Sequence, residues 1–414
     1  MSVTANSVRQ AAVATGTPSP NAMLGLATVG FAVNFWAWAL LSPLGARFRT
    51  ELAFTSFQQA LLVAVPVVVG SLGRIPVGAL TDRYGGRVMF PVVSFATIIP
   101  VLYLGVVGHS SYAALLVGGF FLGIGGTAFA VGVPFVNAWF PPERRGFAIG
   151  VFGVGMGGTA ISALTTVRLA ASQGIAAPFL LAASALAVYA VVAALLMRDA
   201  PGRAAFSEPA LRRLIDTLRL PVTWQTSALY AVGFGGFVAF SVYLPTYLKT
   251  AYALSQIDAA NKMAGFVFVA VLLRPIGGWL SDRLRPTTVL GVAFAVIAVL
   301  AVVQAATPSL APVATVALLG MAAALGAASG AVFALVARLA PPGKVGSVTG
   351  VVGAAGGLGG FVPPLLMGSI YASTGSYAIG LLMLAAVAAI ALVFSLTAVR
   401  RVRGALDPTE TAGG

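Results

Sequence analysis

The feature that most constrains this chain is a series of long apolar runs that recur from Leu24 almost to Val399. A helix that crosses a bilayer needs about 20 mostly apolar residues, and the runs approach or exceed that length. Hydrophobic residues make up 59% of the chain and charged residues 8%, which leaves too little polar surface for a water-soluble fold. The sequence therefore predicts an all-α polytopic membrane protein and argues against a soluble enzyme.

The breaks between these runs predict twelve transmembrane spans in two sets of six. The first set covers 24–45, 57–80, 88–107, 112–139, 146–168 and 176–197, and the second covers 224–248, 257–280, 287–306, 311–339, 346–371 and 376–399. Residues 198–223 form the one long charged interruption. They predict a linker between a six-helix bundle at 24–197 and a second at 224–399, with short tails at 1–23 and 400–414.

The distribution of positive charge predicts the orientation. An even number of spans places both termini on one side, and the Lys and Arg residues outside the spans concentrate there. The exceptions are Arg47, Arg49, Arg168, Lys249 and Lys262. The positive-inside rule then predicts cytoplasmic termini in a plasma (inner) membrane. This topology and attraction to anionic lipid account for the formal net charge of +14, so no nucleic-acid partner is expected.

An internal repeat relates the two halves of the sequence at a fixed offset of 200 residues. The matching positions are Arg74 with Arg274, Gly78 with Gly278, Asp82 and Arg83 with Asp282 and Arg283, and Gly150, Gly153 and Gly157 with Gly350, Gly353 and Gly357. Parallel repeats of six spans, related by an axis along the membrane normal, are typical of transporters. Their substrate sites lie between the two halves near the middle of the bilayer.

The loop after the second span carries a motif. Gly78-Ala-Leu-Thr-Asp82-Arg83-Tyr-Gly85-Gly-Arg87 resembles the signature of the major facilitator superfamily, and Gly278-Trp-Leu-Ser-Asp282-Arg283 is a weaker copy. The resemblance implies the twelve-helix fold of that superfamily and transport by alternating access. We expect these residues to act in gating, with Asp82, Arg83 and Asp282 as a latch at helix ends on the cytoplasmic side.

Arg74 and Arg274 are the two charged residues well inside the predicted spans. Each costs about 2.5 to 3.5 kcal/mol at a helix centre on insertion scales, so each needs a partner. The acidic residues all fall in loops, at helix ends or in tails, which makes a bound substrate anion the obvious counter-ion. A guanidinium fork suits a planar oxyanion. The alternative is that each arginine bonds to carbonyls of a broken helix or extends to the inner interface.

A second resemblance concerns the residues around these arginines. The segments Asn34-Phe35-Trp36-Ala-Trp38, Gly73-Arg74-Ile-Pro76-Val-Gly78, Gly125-Gly-Thr-Ala-Phe129 and Tyr230-Ala-Val-Gly-Phe234 are, together with Arg274, similar to the nitrate/nitrite porter family. The resemblance implies that both arginines clamp the anion and that Phe35, Phe129, Tyr230 and Phe234 surround it. It also implies that the glycines of spans five and eleven let helices slide, although close packing alone explains small residues at such spacings.

One residue departs from the family pattern. In the fifth span the family carries an Asn after the third glycine, where it bonds the anion, and this chain has Met156. Because Met cannot donate a hydrogen bond, either fewer donors hold the anion or the anion is a different one. The leading hypothesis is a nitrate or nitrite transporter. The alternatives are a porter for another small anion, such as a carboxylate or a phosphate ester, and a membrane sensor on a transporter fold.

Several classes of chemistry lack the residues that they need. The chain has no Cys and one His, so it has no thiolate nucleophile, disulfide or histidine cluster, and no phosphate-binding loop is present. We therefore expect no enzymatic activity, no cofactor and no metal, and a monomeric protein. Proton symport normally uses an intramembrane carboxylate or His chain. No such carboxylate or His lies in the central spans, which favours anion exchange.

Overall fold

The structure, a computed structural model, describes residues 18–201, 210–341 and 344–406. Within these ranges twelve helices are long and apolar enough to cross a membrane. The first six are α1 (Pro20–Glu51), α2 (Ser56–Tyr84), α3 (Gly86–Gly108), α4 (Tyr112–Trp139), α5 (Phe147–Ser172) and α6 (Ala176–Leu196). The second six are α7 (Pro221–Tyr252), α8 (Gln256–Ser281), α9 (Pro286–Ala305), α10 (Leu310–Val336), α11 (Ser347–Thr374) and α12 (Ala378–Thr397). The predicted all-α, multi-pass architecture is confirmed.

Some of the helices continue beyond these spans. Helical structure begins at Pro142 before α5, continues to Arg283 after α8 and reaches Leu406 after α12. Much of the predicted tails, residues 1–17 and 407–414, lies outside the described residues. We refer below to α1–α6 as the N-terminal half, to α7–α12 as the C-terminal half, and to the face where α1 begins and α12 ends as the terminal side.

The segment between the halves contains a short helix, Ala210–Leu218, which we call the linker helix. The Thr217 hydroxyl donates to Ser347 Oγ at 2.9 Å, at the start of α11. The Thr223 hydroxyl of α7 donates to the Thr217 carbonyl at 2.8 Å. The linker helix is thereby bonded to two helices of the C-terminal half, while residues 202–209 lie outside the described residues.

Several helices of the N-terminal half change their geometry along their length, including α1, which is interrupted at 39–40. Helix α2 is interrupted at Gly73, α4 contains a 3₁₀ turn at Gly123–Thr127, and α5 contains another at Val154–Gly157. Glycine-rich sequence favours such changes because glycine is a weak helix former. In a 3₁₀ stretch the backbone hydrogen bonds span three residues instead of four. Different carbonyls therefore remain free to accept hydrogen bonds from other groups. By contrast, the helix Gln256–Arg283 in the C-terminal half runs without a break.

The two halves bond to each other on the side opposite the termini. The Ser42 hydroxyl of α1 donates to the carbonyls of Ser241 and Val242 in α7 at 3.1 and 2.7 Å. Gln59 of α2 donates to the Thr246 hydroxyl of α7 at 2.8 Å. Further bonds of this kind run from Gln256 to the Pro43 carbonyl and from Arg168 to Asn261. These contacts join the two halves on that side.

Candidate functional site

The two intramembrane arginines are buried where the halves meet. Arg74 is the first helical residue after the interruption of α2 and is 5% exposed. Arg274 lies within the unbroken α8 and is 1% exposed. Their hydrogen-bond partners are backbone carbonyls, a thioether and a phenol, none of which carries a negative charge. Two guanidinium charges therefore lie at the centre of an apolar bundle with neutral acceptors.

Arg74 bonds to the backbone of two helices. Its Nε donates to the Gly126 carbonyl at 3.3 Å, in the 3₁₀ turn of α4, and its Nη1 donates to the Gly353 carbonyl of α11. The second bond crosses from the N-terminal to the C-terminal half. For Arg74, the structure thus contains the carbonyl contacts that the sequence offered as an alternative explanation for a buried arginine.

Arg274 bonds to side chains. Its Nη1 donates to the Met156 sulfur at 2.9 Å and its Nη2 to the Tyr230 hydroxyl oxygen at 3.0 Å. Met156 belongs to the 3₁₀ turn of α5, so this bond also crosses between the halves. Met156 is fully buried. The residue that departs from the family pattern is therefore in direct contact with one of the two arginines.

Two phenylalanine rings are shared by both guanidinium groups. Phe129 of α4 and Phe234 of α7 stack with their centroids 6.2 Å apart and an interplanar angle of 24°. The Cζ atom of Arg74 lies 5.0 and 5.7 Å from these centroids, and that of Arg274 lies 5.9 and 5.5 Å from them. Both pairs fall within the range of cation–π attraction. The structure brings together Arg74, Arg274, Phe129, Phe234, Tyr230 and Met156.

One aromatic residue of this cluster has no counterpart among the predicted ones. Phe333 of α10 meets Tyr230 edge-on at 4.8 Å, and Arg274 Cζ lies 5.8 Å from its ring centroid. In the repeat, the equivalent of Phe129 is Ser329, and Phe333 follows it by about one helical turn. An aromatic residue one turn after the repeat equivalent of Phe129 is the sequence signal that could have identified Phe333.

Phe35 lies one layer away from the arginines. Its ring is 4.3 Å from that of Phe31 and 4.9 Å from that of Trp38. Phe31 in turn lies 5.7 Å from Phe129. The contacts of Phe35 are therefore with the aromatic cluster of α1, which supports Phe129, and its part in substrate binding stays a prediction.

The first copy of the loop motif surrounds the turn between α2 and α3. Gly85 has a φ of 85°, a backbone conformation that side-chain-bearing residues rarely adopt. Arg83 Cζ lies 5.2 Å from the Tyr84 ring centroid, and the backbone N–H of Arg87 donates to Asp199 Oδ1 at 3.2 Å. The remaining members of this copy are Gly78 and the half-buried Asp82.

The second copy lies at the end of α8. Arg283 Cζ is 4.1 Å from the Trp279 ring centroid. A Cβ added at Gly278 would lie 3.9 Å from the Gly330 carbonyl oxygen of α10, an ordinary contact distance. The side chain of Asp282 lies outside the described residues. The latch function of both copies stays a prediction.

The predicted glycine stripe of α5 faces α8 across the interface between the halves. A Cβ added at Gly150 would lie 3.6 Å from Pro275 Cα, and one at Gly153 would lie 2.8 Å from Arg274 Nε. A Cβ at Gly157 would lie 3.8 Å from Val271. Helix α5 therefore approaches Arg274 most closely at Gly153, where a side chain would meet the guanidinium group.

The equivalent stripe of α11 faces the N-terminal half. A Cβ added at Gly353 would lie 2.8 Å from Phe129, and one at Gly357 would lie 3.1 Å from Arg74 Nη1 and closer still to the Ser71 hydroxyl. Gly350 has nothing within 4 Å of such an atom. Each arginine therefore lies against a glycine of the opposite half.

The match to a family model covers most of the chain. Residues 27–364 match the model of the Major Facilitator Superfamily. The chain belongs to this superfamily. The fold and the loop motif had both indicated this membership.

Sequence relatives are named as nitrate and nitrite transporters. The Probable nitrate/nitrite transporter NarK2 of Mycobacterium tuberculosis is 52% identical over 275 residues, which are 66% of this chain and 70% of the relative. The Nitrite extrusion protein of Bacillus subtilis is 34% identical over 66% of this chain and 68% of its own length. The Probable nitrate/nitrite antiporter NarK1 of Thermus thermophilus is 34% identical over 66% of this chain and 64% of its own length. The predicted resemblance to nitrate/nitrite porters is confirmed.

Solved structures of more distant proteins share the fold. A bacterial homolog of the human lysosomal transporter Spinster, in an inward-facing and occupied conformation, has a TM-score of 0.70 at 19% identity and covers 93% of this chain and 97% of its own. The human organic anion transporter MFSD10 has a TM-score of 0.72 at 16% identity and covers 92% of this chain and 100% of its own. At these identities the likeness supports the twelve-helix architecture alone.

Proposed function

We propose that this protein is a secondary transporter that moves nitrate or nitrite by alternating access, with one anion site between its two halves. The observation that carries the proposal is the pair of buried guanidinium groups on repeat-related helices, which share the rings of Phe129 and Phe234 and bond to neutral acceptors. An anion at this place would neutralise charge for which the described residues supply no acidic partner. The names of the sequence relatives point to the same substrates.

The chemistry of the site fits a small planar oxyanion. Arg74 and Arg274 supply N–H donors in fixed planes, which suits an anion whose oxygens lie in one plane. The Tyr230 hydroxyl accepts from Arg274, so its own proton is available to donate to an anion oxygen. Desolvation by the buried rings around them strengthens these charge-assisted bonds.

The same packing sets an upper limit on substrate size. The Phe129 and Phe234 centroids are 6.2 Å apart, and Phe333 closes the space beside Tyr230. A phosphate ester would require these rings to move further apart than a small planar anion would. The close spacing therefore favours nitrate and nitrite over the larger anions among the alternatives.

The coupling mode that we propose is anion exchange. An empty carrier would have to reorient with two uncompensated guanidinium charges at its centre, which is unfavourable, so the carrier returns more readily with a second anion bound. One relative is named an antiporter. The glycine stripes at the interface between the halves, Gly150, Gly153 and Gly157 in α5 and Gly350, Gly353 and Gly357 in α11, would allow the helices to slide during the change of access.

The proposal also includes the membrane in which the protein lies and its orientation there. The excess of Lys and Arg on the terminal side supports an orientation with both termini in the cytoplasm. We place the protein in the plasma (inner) membrane as a monomer, with the loop motifs around Asp82 and Asp282 on the cytoplasmic side. No nucleic-acid partner is part of this proposal.

Transport by the purified protein in liposomes tests both the substrate and the coupling. Labelled nitrate and nitrite are offered to liposomes that contain nitrite, contain an inert anion or carry an imposed pH gradient. We expect uptake to accelerate when nitrite is inside and to respond little to the pH gradient. Accumulation driven by the pH gradient without an internal substrate anion would contradict exchange, and an absence of uptake for both anions would contradict the substrate assignment.

A further inference from the structure

Each site arginine donates a hydrogen bond to the opposite half, but the two acceptors differ in strength. Arg74 Nη1 donates to the Gly353 backbone carbonyl of α11. Arg274 Nη1 donates to the Met156 thioether of α5 at 2.9 Å. A carbonyl oxygen is a strong acceptor and a thioether sulfur a weak one. The Arg274 bond is therefore the easier of the two for an anion to replace.

We propose that Met156 is a positioning residue that acts through Arg274 and sets the anion affinity by competition. Its sulfur occupies the place on Arg274 Nη1 that an anion oxygen takes, so the anion must displace the thioether to bind. This inference rests on the proposed function of the site. It assigns Met156 an active role, whereas the sequence shows only that Met156 lacks the donor found in the family.

Met156 is the residue through which α5 supplies a hydrogen-bond acceptor to Arg274. A Cβ at Gly153 would lie 2.8 Å from Arg274 Nε, so the guanidinium rests directly on the backbone of α5 there. The acceptor on this helix comes from the fully buried Met156 in the 3₁₀ turn. Met has three rotatable side-chain bonds and adapts its shape readily. It can leave Nη1 by a rotamer change and keep the buried space filled.

The equivalent position in the other half lacks such a side chain. Residue 356 of α11 is a glycine, and the place of its Cβ is filled by the ring of Tyr230. On that side Arg74 is held by carbonyls, which no side-chain rotation can withdraw. A displaceable acceptor is thus built into the Arg274 side of the site.

The first test replaces Met156 with leucine, which has a similar volume and no acceptor. Nitrate and nitrite binding to the purified protein is measured by isothermal titration calorimetry. We expect M156L to bind about 2- to 10-fold more tightly than the wild type, because the anion no longer competes for Nη1. The matched control is M321L, which alters another fully buried methionine, in α10, and should leave the affinity unchanged.

The second test follows the thioether itself. The Met methyl groups are labelled with ¹³C, and the Met156 signal is assigned by its loss in M156L. We expect this signal to shift on saturation with nitrate, while the Met321 signal stays in place. A Met156 that merely fills space would keep its chemical shift.

The outcomes separate this inference from the proposed function. If the wild type binds nitrate and R274A does not, the site is established. An unchanged affinity in M156L together with an unmoved Met156 signal then overturns the competition. If the wild type binds neither nitrate nor nitrite, the proposed function is wrong and the role of Met156 is wrong with it.

Discussion

Arg74 and Arg274 occupy equivalent positions in the sequence repeat, yet they are held by different chemistry. Arg74 donates to the backbone carbonyls of Gly126 and Gly353, and Arg274 donates to the side chains of Met156 and Tyr230. The repeat thus specifies where the two charges lie, while the packing around each specifies what satisfies it. The two charges are therefore related by the repeat, but the groups that accept their hydrogen bonds are not.

The difference lies in what the neighbouring helices present to each guanidinium group. Arg74 meets the Gly126 carbonyl in the 3₁₀ turn of α4 and the Gly353 carbonyl in a continuous helical stretch of α11. Arg274 meets the 3₁₀ turn of α5, but its acceptors are the Met156 side chain there and the Tyr230 hydroxyl of α7. Backbone therefore holds Arg74, and side chains that a substitution can remove hold Arg274. The comparison predicts that substitutions which keep both arginines affect the surroundings of Arg74 and those of Arg274 unequally.

The largest effect is expected from replacing either arginine with lysine. R74K and R274K should each reduce nitrate transport at least about 10-fold, because an ammonium cannot reproduce the planar fork and two bonds to each guanidinium are lost. The measurement is initial uptake into proteoliposomes at equal protein content. R219K, which alters an exposed arginine just after the linker helix, is the control. Wild-type rates in R74K or R274K would count heavily against the clamp.

The next effect compares two glycines of α5. G153A should reduce transport about 10-fold, because overpacking costs roughly 1 to 3 kcal/mol and the new methyl group would push Arg274 away from Met156 and Tyr230. G150A alters the same glycine stripe, but its Cβ would meet Pro275 at an ordinary 3.6 Å, so we expect a smaller loss of transport than in G153A. Uptake and protein yield are measured for both variants. Equal loss in the two would indicate a general packing defect of α5.

A smaller effect is expected on the Arg274 side alone. Y230F removes the hydroxyl whose proton we propose is donated to the anion, and it should weaken nitrate binding by about 0.5 to 1.5 kcal/mol, the usual net value of one hydrogen bond. Calorimetric titration measures the change. Y112F, whose hydroxyl donates to the Gln58 carbonyl near the opposite surface, should bind as the wild type does. Full affinity in Y230F would remove the hydroxyl from the site.

An effect of similar size but opposite sign is expected when the residue of the family pattern is restored. M156N places an amide donor beside Arg274 and should strengthen nitrate or nitrite binding by about 0.5 to 1.5 kcal/mol. Competition between labelled nitrate and unlabelled anions measures both affinity and selectivity. An unchanged or weaker affinity in this variant would show that an amide at position 156 does not reach the anion.

The sequence predicted the membrane architecture because span length and apolar composition are local properties. Each of the twelve predicted runs overlaps one helix, although α1 begins at Pro20 and α7 at Pro221, a few residues earlier than predicted. The helix within the predicted linker, Ala210–Leu218, was not foreseen. Its short, charged sequence lacks the apolar length on which the other predictions rest.

The sequence by itself determined the twelve spans, the repeat and the two arginines that need a partner. The tertiary structure alone decided that Arg74 bonds to Gly353, that the Met156 sulfur faces Arg274 and that Phe333 joins the site. The physical reason is that a carbonyl or a sulfur becomes a partner only when a helix from the other half is packed against it. Such contacts depend on helix breaks and on interhelical distance, which the local sequence does not record.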